Sequence, residues 1–268
     1  MGGVNAGPAA VVIAEASGLS KSRVKDAMAK GAVRLRRGGS RLLRRATFPL
    51  RSGDVVDLYY DPRILAAEAP LAQPVADEGD YSVWCKPPGL LTQGTHYGDH
   101  CSLVRQVEKR LGPRRGVHLV HRLDREAAGL IVLAHTRAAA AALSELFQNR
   151  AVTKRYHVQV LGEPADAGAI DTPLDGQSAC TRFEVLYRQP GRALLVVTLY
   201  SGRKHQIRRH LAGIGHPVLG DPVYGQGNKH PDGLQLVASQ LAFPDPFTGA
   251  SRRYALNEPE RGCASSLA

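Results

Sequence analysis

Residues 192–225 read RALLVVTLYSGRKHQIRRHLAGIGHPVLGDPVYG, and the change of rhythm inside this stretch decides the fold class. From Arg192 to Tyr200 both alternations are apolar, with Leu194, Val196 and Tyr200 on one side and Leu195, Val197 and Leu199 on the other. A strand that is apolar on both faces is covered on both, so it belongs in the middle of a sheet. Ser201 and Gly202 end it, and from Lys204 to Ile214 the period lengthens to that of a helix. Ile207, Leu211 and Ile214 share one stripe of that helix, and His205, Arg208 and Arg209 share another. The apolar stripe anchors the helix, and the cationic one offers a rigid face to a carboxylate or to phosphates. His205, His210 and His216 have no acidic or cysteine companions at ligand spacing, so no metal is expected.

Outward from this stretch, further strand signals fall at 82–85, 130–134, 153–161, 181–188 and 234–243, with helices at 102–111 and 136–148. The regular alternation of strand and helix that a doubly wound parallel sheet needs is missing, so the larger part of the chain is expected to be an α+β sheet domain. It spans 81–256, followed by a tail, 257–268.

The 268 residues carry 35 Lys plus Arg against 24 Asp plus Glu, a net charge of +11. Residues 1–62 hold eleven basic residues against five acids, so more than half of the surplus sits in under a quarter of the chain. That concentration points to an electrostatic module with a polyanionic partner. Within it, 11–15 suggests a short helix, Ser20 can cap a second one with Val24, Ala27 and Met28 on one face, and Gly31 ends it. Strand-like pieces follow at 32–35 and 55–59, with a turn at 51–54. Residues 63–80, with Pro70, Pro74, many alanines and Glu68, Asp77, Glu78 and Asp80, read as a linker. Cys85, Cys101, Cys180 and Cys263 are scattered and read as reduced structural thiols. No stretch approaches the ~20 apolar residues of a membrane span and the uncharged start is unlike a secretion leader, so a cytoplasmic protein is expected.

Two more segments rich in glycine or charge interrupt the apolar runs, which is where sites are usually built. One is KPPGLLT at 86–92, a turn after a strand. The other is HLVHRLDREAAGL at 118–130, where Asp124 stands among Arg122, Arg125 and Glu126. A carboxylate among arginines can serve as nucleophile or base, though an ordinary loop ion pair contains the same residues.

Taken together, HRLDREAAGL, SGRKHQIRRHL and GHPVLGDPVYG resemble the signature segments of the RluA-type pseudouridine synthases, in that family's order. KPPGLLT, KRYHVQV and LQLVASQLAFPDP extend the likeness over most of residues 80–250. The resemblance implies a mixed, largely antiparallel sheet and an enzyme that detaches uracil from its ribose in RNA, turns it and rejoins it through carbon, with no cofactor. It implies Asp124 as the catalytic aspartate, and is compatible with attack on the sugar, attack on the base or removal of a ribose proton. Arg208 is implied as the salt-bridge partner that aims Asp124, and Tyr156 as the residue that packs against uracil and moves a proton. Arg122 is expected to help flip or hold the nucleotide, and Leu236 to line the uracil pocket. Ala127 and Ala128 stand where the family usually has Thr-Ser, and Lys204 where Thr is common.

The stretches ASGLSKSRVKDAMAKGAVRL and LRSGDVVDLYY resemble the alpha-L RNA-binding motif, a small N-terminal α/β module. Lys21, Arg23, Lys25 and Lys30 are the positions the resemblance places on RNA phosphates, while RLRRGG departs from the usual Val-Asn-Gly turn. Family members carrying such a module imply large-subunit ribosomal RNA as the first substrate and transfer RNA as the second; a monomer is expected. Two other classes fit less well. A non-catalytic RNA-binding or ribosome-assembly factor would not need Asp124, Tyr156 and Arg208 intact. A hydrolase would want an oriented base or a nucleophile elbow, and none is present.

Overall fold

The computed structural model describes residues 5–256, and the expected tail with Cys263 lies outside them. The chain divides into two compact units, each threaded twice. One runs to Ala69 and takes in Gln93–Arg110; the other consists of Pro70–Thr92 and the chain from Leu111 on.

The first unit contains β1 (Asn5–Pro8), α1 (Ala9–Ser17), α2 (Lys21–Ala29), β2 (Val33–Arg36), β3 (Ser40–Leu42), β4 (Pro49–Arg51), β5 (Val55–Leu58), α3 (Pro62–Leu65) and α4 (Leu103–Leu111). Ser20 caps α2 by accepting from the Arg23 N–H at 3.3 Å, which satisfies one of the donors a helix start leaves open. Val24, Ala27 and Met28 turn inward and join Ile13, Leu35 and Leu50 in the core. Strand β2 lies between β3 and β5. At 51–54 the expected turn forms, with the Arg51 N–H donating to the Asp54 carboxylate at 2.8 Å.

The second unit contains β6 (Gln73–Asp77), β7 (Tyr81–Lys86), β8 (His118–Leu119), β9 (Ala128–Ala134), α5 (Arg137–Gln148), β10 (Thr153–Leu161), β11 (Ala167–Ile170), β12 (Thr181–Gln189), β13 (Arg192–Leu199), α6 (Gln206–Gly213), β14 (Leu236–Pro244) and β15 (Ser251–Ala255). Among the described residues these strands form a ten-stranded sheet in the order β11-β12-β13-β10-β14-β9-β7-β6, with β15 on β14 and β8 on β9. Strand β13 lies between β12 and β10, as an element apolar on both faces must. The sheet is mixed and largely antiparallel; β9 and β14 run parallel.

Two expectations need correction. Residues 63–80 are not a linker, because they form α3 and the edge strand β6, which pairs with β7. Residues 93–110, expected in the larger domain, group with the N-terminal unit. Strand β6 escaped the pattern reading because an exposed edge strand such as QPVAD shows no apolar alternation.

The parallel pairing of β9 and β14 is what locates the site. Gly129 lies opposite Ala238 with φ +110°, and a Cβ on it would fall 2.3 Å from the Ala238 carbonyl oxygen. Only glycine allows the two backbones to approach so closely. The loop before β9 is thereby held beside the beginning of β14.

Candidate active site

The loop 120–127 that joins β8 to β9 carries Asp124, and the segment 86–92 holds it from below. Thr92 Oγ1 donates to the Leu123 carbonyl at 2.7 Å and accepts from the Leu123 N–H at 3.2 Å. Lys86 is fully buried, and its ammonium donates to the carbonyls of Pro87, Leu90 and Arg125 at 3.0, 2.8 and 3.1 Å. Burial draws its pKa down to about 8, with the charges of Glu126 and Asp124 working the other way.

Helix α6 supplies the cation. Arg208 is 1% exposed and grips Asp221 with Nε and Nη2, both at 2.8 Å, while its Nη1 donates to Asp124 Oδ2 at 3.2 Å. Burial alone would push the Asp221 carboxyl up, but Arg208 and the N–H groups of Tyr224 and Val223 more than offset it and hold it below the usual carboxylate range. The Arg208 guanidinium also lies over the Tyr224 ring at 5.2 Å. A bidentate grip from behind fixes the plane of the guanidinium, so the direction of the third N–H toward Asp124 is set before any substrate arrives.

The other expected residues converge on the same place. A cavity of about 240 Å³ is lined by Asp124, Arg122, Tyr156, Arg208 and Leu236, together with Ala127, Leu199, His205 and Ile207. That volume lies below the ~300–1,000 Å³ of pockets for drug-sized ligands and suits a single small ring. Tyr156 is buried, and burial together with the Asp124 charge raises its phenol pKa, so it stays a neutral hydroxyl. Leu236 is buried in the wall, whereas Arg122 is exposed at the mouth.

Some readings change. Helix α6 begins at Gln206, one turn shorter than the span 204–214, and His205 precedes it with φ +53°. The shared cationic face therefore does not form: Arg208 turns inward, Arg209 pairs with Asp175 at 2.9 Å, and Ile214 is exposed. His205 still reaches the site, with Nε2 3.8 Å from Asp124 Oδ1 and Nδ1 3.1 Å from the Tyr224 hydroxyl. Lys21, Arg23 and Lys25 are exposed on α2 of the other unit. Lys30 is engaged within that unit, on Asp26 at 2.9 Å and on the Leu65 carbonyl at 2.7 Å.

Asp221 and Lys86 were given no role in the sequence reading. A signal for Asp221 existed, because a buried arginine has more donors than one aspartate can fill and GDPVYG offers the nearest acid in the chain. Lys86 gave none, since its three acceptors are backbone carbonyls. Among the described residues no helix is long and apolar enough to cross a membrane, and no group of three or more His, Cys, Asp or Glu could hold a metal ion.

A family model described as RNA pseudouridylate synthase matches residues 80–213. An uncharacterized RNA pseudouridine synthase of Chloroflexus aurantiacus is 34% identical over 76% of this chain and 72% of its own length. A ribosomal large subunit pseudouridine synthase D of Zymomonas mobilis is 29% identical over 86% of this chain and 83% of its own. Among solved structures, the human RNA pseudouridylate synthase domain containing 4 superimposes with a TM-score of 0.60 at 26% identity, over 70% of this chain and 89% of that one.

Proposed function

This chain belongs to the RNA pseudouridylate synthase family, of the RluA type, and from that premise we propose that it isomerises particular uridines of large-subunit ribosomal RNA, with transfer RNA the second choice. As a family member it is an isomerase that converts uridine in RNA to pseudouridine. The ribosomal target is supported by the basic N-terminal unit, with Lys21, Arg23 and Lys25 exposed on α2, and by the name of the Zymomonas relative. Lys21, Arg23 and Lys25 are the phosphate contacts of that unit.

The observation that carries the catalytic reading is one carboxylate, Asp124, aimed into a cavity of base size by an arginine that a second, buried carboxylate locks in place. The target nucleotide leaves its stack and puts its base in this cavity, with Leu236 and Tyr156 against the ring and Arg122 at the mouth holding the strand. Asp124 is the group that acts on the nucleotide. The Tyr156 hydroxyl, protonated throughout the neutral range, donates or relays a proton as the base turns. The product contains the same atoms as the substrate, so no second reactant enters.

The test is release of tritium from carbon 5 of uridine in unmodified ribosomal and transfer RNA, since the label leaves when that carbon bonds to the sugar. Wild-type protein is expected to release it from ribosomal RNA and Asp124→Ala to release none. Release from transfer RNA alone overturns the proposed target. Silence of the wild type on both RNAs and on precursor particles, with binding intact, moves the protein to the class of non-catalytic RNA-binding factors.

A further inference from the structure

Beside the catalytic cavity lies a wider one of about 560 Å³, and the two share Arg122, Tyr156, Leu199, Gly202 and Arg203 as walls. Its other side is built by Phe147 at the end of α5, by Arg150 just beyond it, and by Lys154 at the start of β10. Four cations, Arg122, Arg150, Lys154 and Arg203, therefore surround one open space. Among the described residues none of the four is in an ion pair with a carboxylate. The side-chain hydrogen bond of Arg203 goes to a carbonyl, Ser178 O at 3.1 Å. Burial and then the charge of Arg150 draw the Lys154 ammonium below its ordinary value, as expected of like charges gathered without an anion.

Backbone geometry holds one of these cations in place. Arg150 follows the C-cap Asn149 of α5 with φ +59°, in the left-handed region where glycine or asparagine is usual. The Arg150 and Ala151 N–H groups close the helix on the Phe147 and Leu146 carbonyls at 3.3 and 2.9 Å, so the helix end fixes where Arg150 stands, at a backbone cost that glycine would not carry. His121 furnishes a firm wall: its Nε2 accepts the Val132 N–H at 2.9 Å and its ring stacks on Phe147 at 4.3 Å. The ring is thereby neutral, with its remaining nitrogen as an N–H donor.

We propose that this second cavity is a phosphodiester subsite, in which Arg150, Lys154 and Arg203 hold the phosphates that flank the uridine whose base occupies the first. The shared walls argue for a polynucleotide over a free anion, because a base drawn into one cavity brings its own backbone across the common rim. The proposal rests on the synthase reading and adds the path of the strand.

The experiment measures the affinity of a short fluorescent single-stranded uridine oligonucleotide as a function of salt. It compares wild type, Arg150→Gln/Lys154→Gln, and Arg137→Gln/Arg192→Gln, which removes two charges from exposed positions elsewhere on the same unit. Two phosphate contacts contribute about 1.4 to the slope of log affinity against log salt on a single strand. The first double variant is expected to lose that much and the second to keep the wild-type slope; equal slopes for all three overturn the subsite. Arg150→Gly separates binding from folding: it relieves the backbone, so its thermal midpoint should equal or exceed the wild-type value while affinity falls. A midpoint and an affinity that fall together make Arg150 a structural residue and overturn its role. Tritium release by wild type, run in parallel, keeps the readings apart, since silence there counts against the synthase and the slopes alone decide the subsite.

Discussion

Arg208 serves two carboxylates from a position with almost no access to water, and the division of labour between them is unequal. Asp221 takes two hydrogen bonds and Asp124 takes one. Asp221→Asn keeps the shape but withdraws the charge that fixes the guanidinium. The loss of a charge-assisted bond of about 1.5–3 kcal/mol corresponds to roughly a 10- to 100-fold fall in kcat, with KM nearly unchanged because Asp221 lies behind the cavity wall. Single-turnover tritium release measures this, and an unchanged kcat would show that Asp221 does not aim Asp124. Lys86 sets a second expectation. Its three ammonium donors match three carbonyls, and it loses one of them when it deprotonates near its pKa of about 8. The loop that carries Asp124 then loosens, so kcat should fall reversibly as pH rises through about 8. In Lys86→Met the Pro87 and Leu90 carbonyls lose their donor while that of Arg125 keeps the Gly89 N–H at 2.8 Å, at a cost of about 2 kcal/mol or more, seen as a lower thermal midpoint. A rate flat to pH 10 would remove Lys86 from the account of the loop.

At the scale of elements, the contact between β9 and β14 places the Asp124 loop against the wall that Leu236 provides. Gly129→Ala puts a methyl group into the Ala238 carbonyl and strains the backbone at φ +110°. The two effects together are expected to destabilise the protein by about 2–4 kcal/mol and to lower activity in the remaining folded fraction. Denaturant unfolding with a parallel activity measurement tests it; a loss below ~1 kcal/mol would mean that the strands part more easily than their register suggests. Helix α6 shows why its boundary was misread. The apolar spacing of Ile207 and Leu211 correctly announces a helix, but its start is set by Gln206, whose amide accepts from Ser201 Oγ and the Arg203 N–H and donates to Cys180 O and Thr181 Oγ1. Those partners lie up to 26 residues away. Period reading counts only neighbours in the chain.

For the whole molecule, acid is the sensitive direction. Asp54 in the first unit and Asp77 and Asp245 in the second each have a pKa of about 2. Arg37 lowers the first and Arg115 the second; burial would raise the third, but the N–H groups of Phe247 and Thr248, with Tyr81 and Arg252, outweigh it. Each folded pKa lies below the ~3.9 of an unfolded aspartate, so the stabilisation is fully present above about pH 4 and is lost as pH falls toward 2. Acid titration followed by circular dichroism should place unfolding of both units in that window. Asp245→Asn, which removes one linked proton, should make the loss shallower. Unfolding complete above pH 4.5 would point to other groups.

Much of this protein was legible in one dimension. Central strand, capped helices and the basic N-terminal unit follow from short-range rules, since residues two, three or four apart decide which face turns inward. The site residues Asp124, Tyr156, Arg208, Arg122 and Leu236 were named through the family resemblance of short segments up to 114 residues apart, and the structure brings all five to one cavity. What the chain could not announce was which partner each group would find. Asp221 behind Arg208, the Arg125 carbonyl on Lys86 and the parallel pairing of β9 with β14 at Gly129 are contacts between segments apart in sequence. Such contacts come from packing, where burial leaves every polar group to be satisfied by whatever the fold has placed beside it.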